Sequence, residues 1–222
     1  MHIAFCIAAG VAAAAFGWFV PSVQHRLYSK PEYRENPASG RTLLALRIFL
    51  AVSCAAASAL ALRPDHYAVG PAVLTALFAL ALLVTASTDF ERRIIPNVIS
   101  YPAIVAALAF SWAWPDRSVE DIALGGAFAI GVAVALFALG IAVGALLGGG
   151  AALGMGDAKL MVWIGVLAGW PAVTSALIYG VLAAGVVSVV LLVRGGARKR
   201  FSYGPYLVLG ALVVLLFPAR FV

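Results

Sequence analysis

The chain has 222 residues, 64% of them hydrophobic and only 11% charged, with a mean hydropathy of +1.05. A soluble domain carries about a quarter charged residues, so soluble globular, disordered, collagen-like and disulfide-stapled classes are excluded. The net charge of +6 and the pI near 9.7 do not signal nucleic acid, because the basic residues sit in short loops between apolar blocks, where they orient membrane spans.

The apolar blocks run to about 17–26 residues, long enough to cross a bilayer. In chain order they predict eight spans: 3–20, 43–62, 71–88, 98–114, 122–147, 157–170, 172–193 and 204–218. The expected fold is therefore all-α, a polytopic transmembrane helical bundle forming a single domain over residues 1–222. Pro, Gly and charged residues fill the separators and end the helices. The first block contains small residues suited to signal-peptide cleavage, but Met1-His2 lacks the basic n-region such a segment needs. We expect it to stay as a span. Pro21–Thr42, of about 22 residues, is the longest polar stretch and too short for a domain of its own. Cys6 and Cys54 lie inside apolar blocks without a CxxC partner and read as packing residues. Gly140, Gly144 and Gly148 share one helix face and likewise read as packing.

Lysine and arginine set the orientation. With the N-terminus outside, twelve basic residues fall on the inner side: Arg26, Lys30, Arg34, Arg41, Arg47, Arg92, Arg93, Lys159, Arg194, Arg198, Lys199 and Arg200. Only Arg63, Arg117 and Arg220 fall outside. Both termini are therefore expected outside, in the cell (plasma or inner) membrane.

Of the nine acidic residues, most lie in loops, whereas Asp89, Glu91 and Asp157 stand at span ends on the inner side. An aspartate at a helix centre costs about 2.5–3.5 kcal/mol on insertion scales, so such residues call for a reason. Two complete crossings separate Asp89 from Asp157, and an even count returns the chain to the same face. Depth adds to this. The sixth block has 14 residues, about 21 Å at 1.5 Å per residue, against a hydrocarbon core of about 30 Å. Asp157 then lies inside the boundary, and the glycines at 148, 149, 150, 154 and 156 form irregular backbone at membrane depth. Such backbone is tolerated only in protein or against a water-filled cavity.

Two carboxylates in a wet cavity can hydrolyse a peptide without a metal. At about 4 Å and an effective dielectric of about 20 they repel by about 4 kcal/mol, so they share a proton. The ionised partner takes a proton from water, and the protonated one hydrogen-bonds the developing oxyanion. Simpler readings stand beside this. Asp89 can pair with Arg92 or Arg93, and Asp157 can cap the sixth span. Lys159, two residues on from Asp157, is expected to point away from it and snorkel to headgroups. Glu91 reads as a solvated boundary charge. His2, His25 and His66 give no metal-ligand spacing, and neither metal nor cofactor is expected.

The segments Thr88-Asp89-Phe90-Glu91-Arg92-Arg93-Ile94-Ile95-Pro96-Asn97 and Gly154-Met155-Gly156-Asp157-Ala158-Lys159 resemble the paired motifs of the type IV prepilin peptidases. There an aspartate precedes an Ile-Pro-Asn segment and a second lies in GxGDxK. The resemblance extends to Tyr203-Gly204-Pro205 and to Gly17-Trp18-Phe19 followed by Arg26-Leu27. It implies an aspartic endopeptidase with Asp89 and Asp157 catalytic, supported by Gly154, Gly156, Lys159, Pro96 and Asn97. It also implies prepilin-like or archaellin-like precursors as partners, cut at the cytoplasmic membrane face between a short basic leader and a hydrophobic helix. Bifunctional members carry two CxxC pairs in a larger first loop; here that loop has no cysteine, so the resemblance implies cleavage without N-methylation. A presenilin-like intramembrane protease, which also uses GxGD, and an ion- or proton-coupled transporter using the same two aspartates are the alternatives. The Ile-Pro-Asn context favours the first reading, and the chain shows no paired halves of the transporter kind.

Overall fold

The computed structural model describes residues 3–27, 40–63, 67–147, 154–193 and 202–217. Among them there are eight α-helices, one 3₁₀ turn (Ser111–Ala113) and no strand. The helices are α1 (Ile3–Leu27), α2 (Gly40–Ala61), α3 (Val69–Arg92), α4 (Asn97–Ala109), α5 (Val119–Leu147), α6 (Met155–Ala168), α7 (Ala172–Val193) and α8 (Gly204–Leu216). Each expected block is a helix. Five contain stretches long and apolar enough to cross a membrane: Ala4–Gln24, Leu43–Ala61, Val69–Arg92, Val119–Ala142 and Ala172–Val190. α4 and α8 are shorter apolar helices, and α6 has 14 residues. The chain divides into two compact units, Met1–Arg93 and Ile94–Val222.

In the first unit, α1 packs on α2 and α2 on α3. The expected first span stops at Val20, but α1 continues through Pro21 to Leu27. A proline inside a helix removes one N–H and crowds the preceding turn, so the extra turns need outside support. Arg47 of α2 supplies part of it. Its Nη2 donates to Ser22 Oγ at 2.8 Å, and its guanidinium lies 5.8 Å from the Trp18 ring centroid. Cys54 is fully buried, as a packing residue should be, and Cys6 Sγ donates to the Leu62 carbonyl at 3.4 Å.

In the second unit, α6 is the hub and touches α4, α5, α7 and α8. Leu160, Met161, Trp163 and Ile164 are almost wholly buried, and the Trp163 indole N–H has no hydrogen-bond partner among the described residues. α5 and α6 cross closely at Gly125 and Gly165. A Cβ on Gly165 would stand 2.5 Å from both the Gly125 carbonyl oxygen and the Ala129 Cβ, so the crossing admits only glycine. This seam differs from the expected Gly140–Gly144–Gly148 stripe, in which Gly140 is buried on α5 and Gly148 lies outside the described residues.

The C-terminal end of α6 is fastened by several polar contacts. Arg117 Nη1 donates to the Leu167 carbonyl, with its guanidinium 5.3 Å from the Trp114 centroid. The Trp170 N–H donates to the Asp121 carbonyl at 2.8 Å, and the Phe128 and Trp170 rings meet edge-on at 5.4 Å. Ser118 and Asp121 cap α5 reciprocally: the Asp121 N–H donates to Ser118 Oγ at 3.0 Å, and the Ser118 N–H donates to Asp121 Oδ2 at 2.9 Å. With that end fixed, the first turn of α6, which carries Asp157, has a set position within the unit.

Candidate functional site

Asp89 lies in the last turn of α3 and is 5% exposed. The helix runs three residues past it to Arg92 and ends with Arg93 in the left-handed region (φ 55°), whose N–H donates to the Asp89 carbonyl at 2.8 Å. The expected third span closed at Thr88, so Asp89 belongs to the helix proper. Before it comes a band of buried hydroxyls at Thr85, Ser87 and Thr88. Thr85 Oγ1 donates to the Ala81 carbonyl at 2.9 Å, and Thr88 Oγ1 to the Thr85 carbonyl at 2.8 Å. These back-bonds let polar side chains sit in an apolar helix without unmet donors.

One side chain of α1 joins this band. Ser87 Oγ donates to Gln24 Oε1 at 3.2 Å, and Gln24 Nε2 donates to the Val84 carbonyl at 3.4 Å. Gln24 is 5% exposed. Sequence reasoning missed it, because the first span was ended at Val20. The signal was present: a glutamine one turn beyond Pro21, in a stretch that stays helical. Glu91 departs from its sequence reading too. It is half-buried rather than solvated, and its Oε1 is sealed from water with no hydrogen-bond partner among the described residues.

In the second unit, Pro96 is extended (φ −70°, ψ 125°) and opens α4, where its missing N–H costs nothing. Its carbonyl accepts the Ser100 N–H and the Ser100 hydroxyl, both at 3.0 Å. Ile95, before it, is 8% exposed and packs on the first turn of α6. A Cβ on Gly156 would stand 3.1 Å from the Ile95 Cβ, so the second glycine of Gly-x-Gly-Asp is what lets the two segments touch. Gly156 is helical rather than irregular as expected; glycines 148–150 lie outside the described residues, as do residues 28–39 of the first loop and the basic cluster 194–200.

Gly154 is the extended N-cap of α6 (φ −80°, ψ 151°). Asp157 is not the cap itself but the third residue of the helix, and its Oδ2 accepts the Gly154 N–H at 3.2 Å. The carboxylate thus meets the positive end of the helix dipole, a favourable place for an anion. Lys159 does not reach for headgroups. Its Nζ donates to Asn97 Oδ1 at 2.9 Å and stands 5.1 Å from the Tyr101 ring centroid. Gly156 and Lys159 therefore meet Ile95, Asn97 and Tyr101 along one α4–α6 seam, with Pro96 at the start of α4 and Gly154 and Asp157 at the start of α6; Tyr101 is a member the sequence had not singled out.

Residues 76–189, just over half of the chain, match the model of the type IV leader peptidase family. The chain belongs to that family. No curated protein and no solved structure matches it. As a type IV leader peptidase family member the chain is a peptidase, and such enzymes process prepilin-like substrates. Its long apolar helices accord with a multi-pass membrane protein. The matched segment holds both the Asp89 and the Asp157 motifs.

Proposed function

We propose that this leader peptidase is an aspartic endopeptidase in which Asp89 and Asp157 form the catalytic pair. The observation that carries the reading is that both aspartate motifs fall within the segment matched to the family, with Asp89 almost fully buried near the end of a long apolar span. A buried carboxylate is costly in such a setting and calls for a chemical use. One aspartate, ionised, removes a proton from water as it attacks the scissile carbonyl. The other, protonated, donates to the developing oxyanion and then protonates the leaving amine. The pair titrates as a unit, so acid and base roles belong to the pair. Gly154 and Gly156 shape the first turn of α6, and Lys159, Asn97 and Pro96 brace it; these are supports rather than participants.

The substrates are type IV pilin-like precursors, cut between a short basic leader and a hydrophobic helix. The site faces the cytoplasm across the cell membrane, as the distribution of basic residues favours. The pair acts without metal or organic cofactor, and the reaction ends at cleavage: the first loop lacks the cysteines of the methylating relatives. Purified protein incubated with a candidate precursor tests this directly. A product whose mass equals the precursor without its leader supports the reading, and S-adenosylmethionine should add no methyl group, about 14 Da. An intact precursor across a panel of pilin-like substrates overturns it.

A further inference from the structure

A helix that presents a carboxylate for chemistry must hold it at one depth and one rotation, and the end turn of a helix is its loosest part. In α3 that end turn carries Asp89. Over their first halves α1 and α3 stand apart around a groove of about 440 Å³, lined by Phe5, Ala9 and Phe16 on one side and Val73, Leu77 and Leu80 on the other. Toward their ends the amide of Gln24 bridges them, and both of its poles are used. Its oxygen accepts from the Ser87 hydroxyl at 3.2 Å, and its nitrogen donates to the Val84 carbonyl at 3.4 Å. That carbonyl also accepts from Thr88 Oγ1 at 3.2 Å, one residue before Asp89. Val84 and Ser87 are three residues apart and share one face of α3, so the amide grips the helix at two points and fixes its rotation as well as its height. Gln24 is 5% exposed. Burying an amide in an apolar stretch is costly, and an apolar side chain would fill the space without that cost.

We infer that Gln24 is a positioning residue for the proposed reaction: its amide fixes the rotation of the last turns of α3 and thereby the aim of the Asp89 carboxylate. This rests on the aspartic peptidase reading above. Asp89 follows Ser87 by two residues, about 200° around the helix. Gln24 therefore grips the opposite side of α3 and acts on the carboxylate through the backbone rather than by touching it. The leverage is large. On a helix about 10–12 Å across, a rotation of about 10° carries a group at the rim through about 1 Å, and a misplacement of that size can cost about a hundredfold in rate.

The test cuts the tie from both sides and reads the carboxylate itself. Gln24→Met keeps the length of the side chain and loses both hydrogen bonds; Ser87→Ala removes one of them from α3. Cleavage of a pilin-like precursor is measured well below the melting temperature of each variant, and the aspartate carboxyl carbons, isotope-labelled, are observed by NMR in micelles. The Asp89 signal is assigned by its loss in Asp89→Asn. Gln24→Met should lower kcat about tenfold or more with KM within about twofold, and the double variant should be no worse than Gln24→Met alone. The Asp89 signal should move in Gln24→Met while those of Asp116 and Asp121, in the second unit, stay in place. An unchanged kcat, a loss confined to KM, an unmoved Asp89 signal or a shift shared by all the aspartates overturns the inference. If Gln24→Met does not fold, Ser87→Ala carries the same measurements; if neither folds, the amide serves the fold and the inference fails. Should the wild type cleave no precursor, the peptidase reading fails, and the NMR signal still decides Gln24: a shift confined to Asp89 supports its hold on that carboxylate, and no shift overturns it.

Discussion

Lys159 Nζ donates a hydrogen bond to Asn97 Oδ1 at 2.9 Å and lies 5.1 Å from the Tyr101 ring centroid. One side chain thereby joins the second turn of α6 to the start of α4, and it joins the two sequence motifs across 62 residues of chain. The neutral amide and the aromatic face together fix the direction of the ammonium.

This tie should be measurable as a coupling. Lys159→Met, which keeps the apolar stem, and Asn97→Ala are each expected to lower stability by about 1 kcal/mol. The double variant should be little worse than the more damaging single, with a coupling of about 0.5–1.7 kcal/mol, the range of hydrogen bonds between helices in membranes. Equilibrium unfolding of the four proteins in micelles gives the cycle. Simple additivity would mean that the contact carries no energy.

The glycine contacts make a graded series. Gly165→Ala pushes a Cβ to 2.5 Å from its neighbours and should cost about 1–3 kcal/mol, the usual penalty of overpacking. Gly156→Ala meets only the Ile95 side chain, at 3.1 Å, so it should cost less and be relieved by Ile95→Ala. Gly131→Ala, with nothing within 4 Å, is the neutral control on α5. Thermal melts of the set rank them; Gly165→Ala melting with the control would contradict the close crossing.

For the proposed chemistry, Asp89→Asn and Asp157→Asn should each lower precursor cleavage by about a thousandfold or more while the proteins insert and elute normally. The double variant should be no worse than either single, because groups that act as one unit are not additive. Substantial turnover by either single variant removes it from the catalytic pair.

The same proposal fixes how the rate responds to pH and chelators. One carboxylate must be ionised and its partner protonated, so kcat/KM should rise and then fall with increasing pH as the pair passes through its singly protonated form. EDTA should leave activity intact. A rate abolished by chelator and restored by zinc would transfer the water activation to a metal.

The apolar blocks announced all eight helices, because length and hydropathy alone decide whether a segment can span. What the sequence withheld was pairing at a distance. The first span was ended at Pro21, since a proline in isolation reads as a stop; contacts from Arg47 to Ser22 and from Gln24 to Ser87 carry the helix onward, and neither partner is near in sequence. Lys159 was expected to snorkel because it points away from Asp157 on its own helix; its acceptor, Asn97, stands on α4. Glu91 read as a solvated charge because two arginines follow it, and local composition says nothing about which way α3 turns its last carboxylate. The motif glycines were legible as a pattern, but the reason for Gly156 became visible only with Ile95 against it.

The indole of Trp163, fully buried in α6 with its N–H unpartnered among the described residues, gives the protein a built-in optical probe. An indole that neither touches water nor donates a hydrogen bond emits toward the blue and resists aqueous quenchers, whereas Trp112, Trp170 and Trp18 are 78%, 41% and 38% exposed. Acrylamide would therefore spare the helix that carries Asp157, against a background of the buried Trp114 and of Trp18, which lies within the Ala4–Gln24 stretch. Any rearrangement of that helix during turnover would register as a colour change in the native chain, with no label attached.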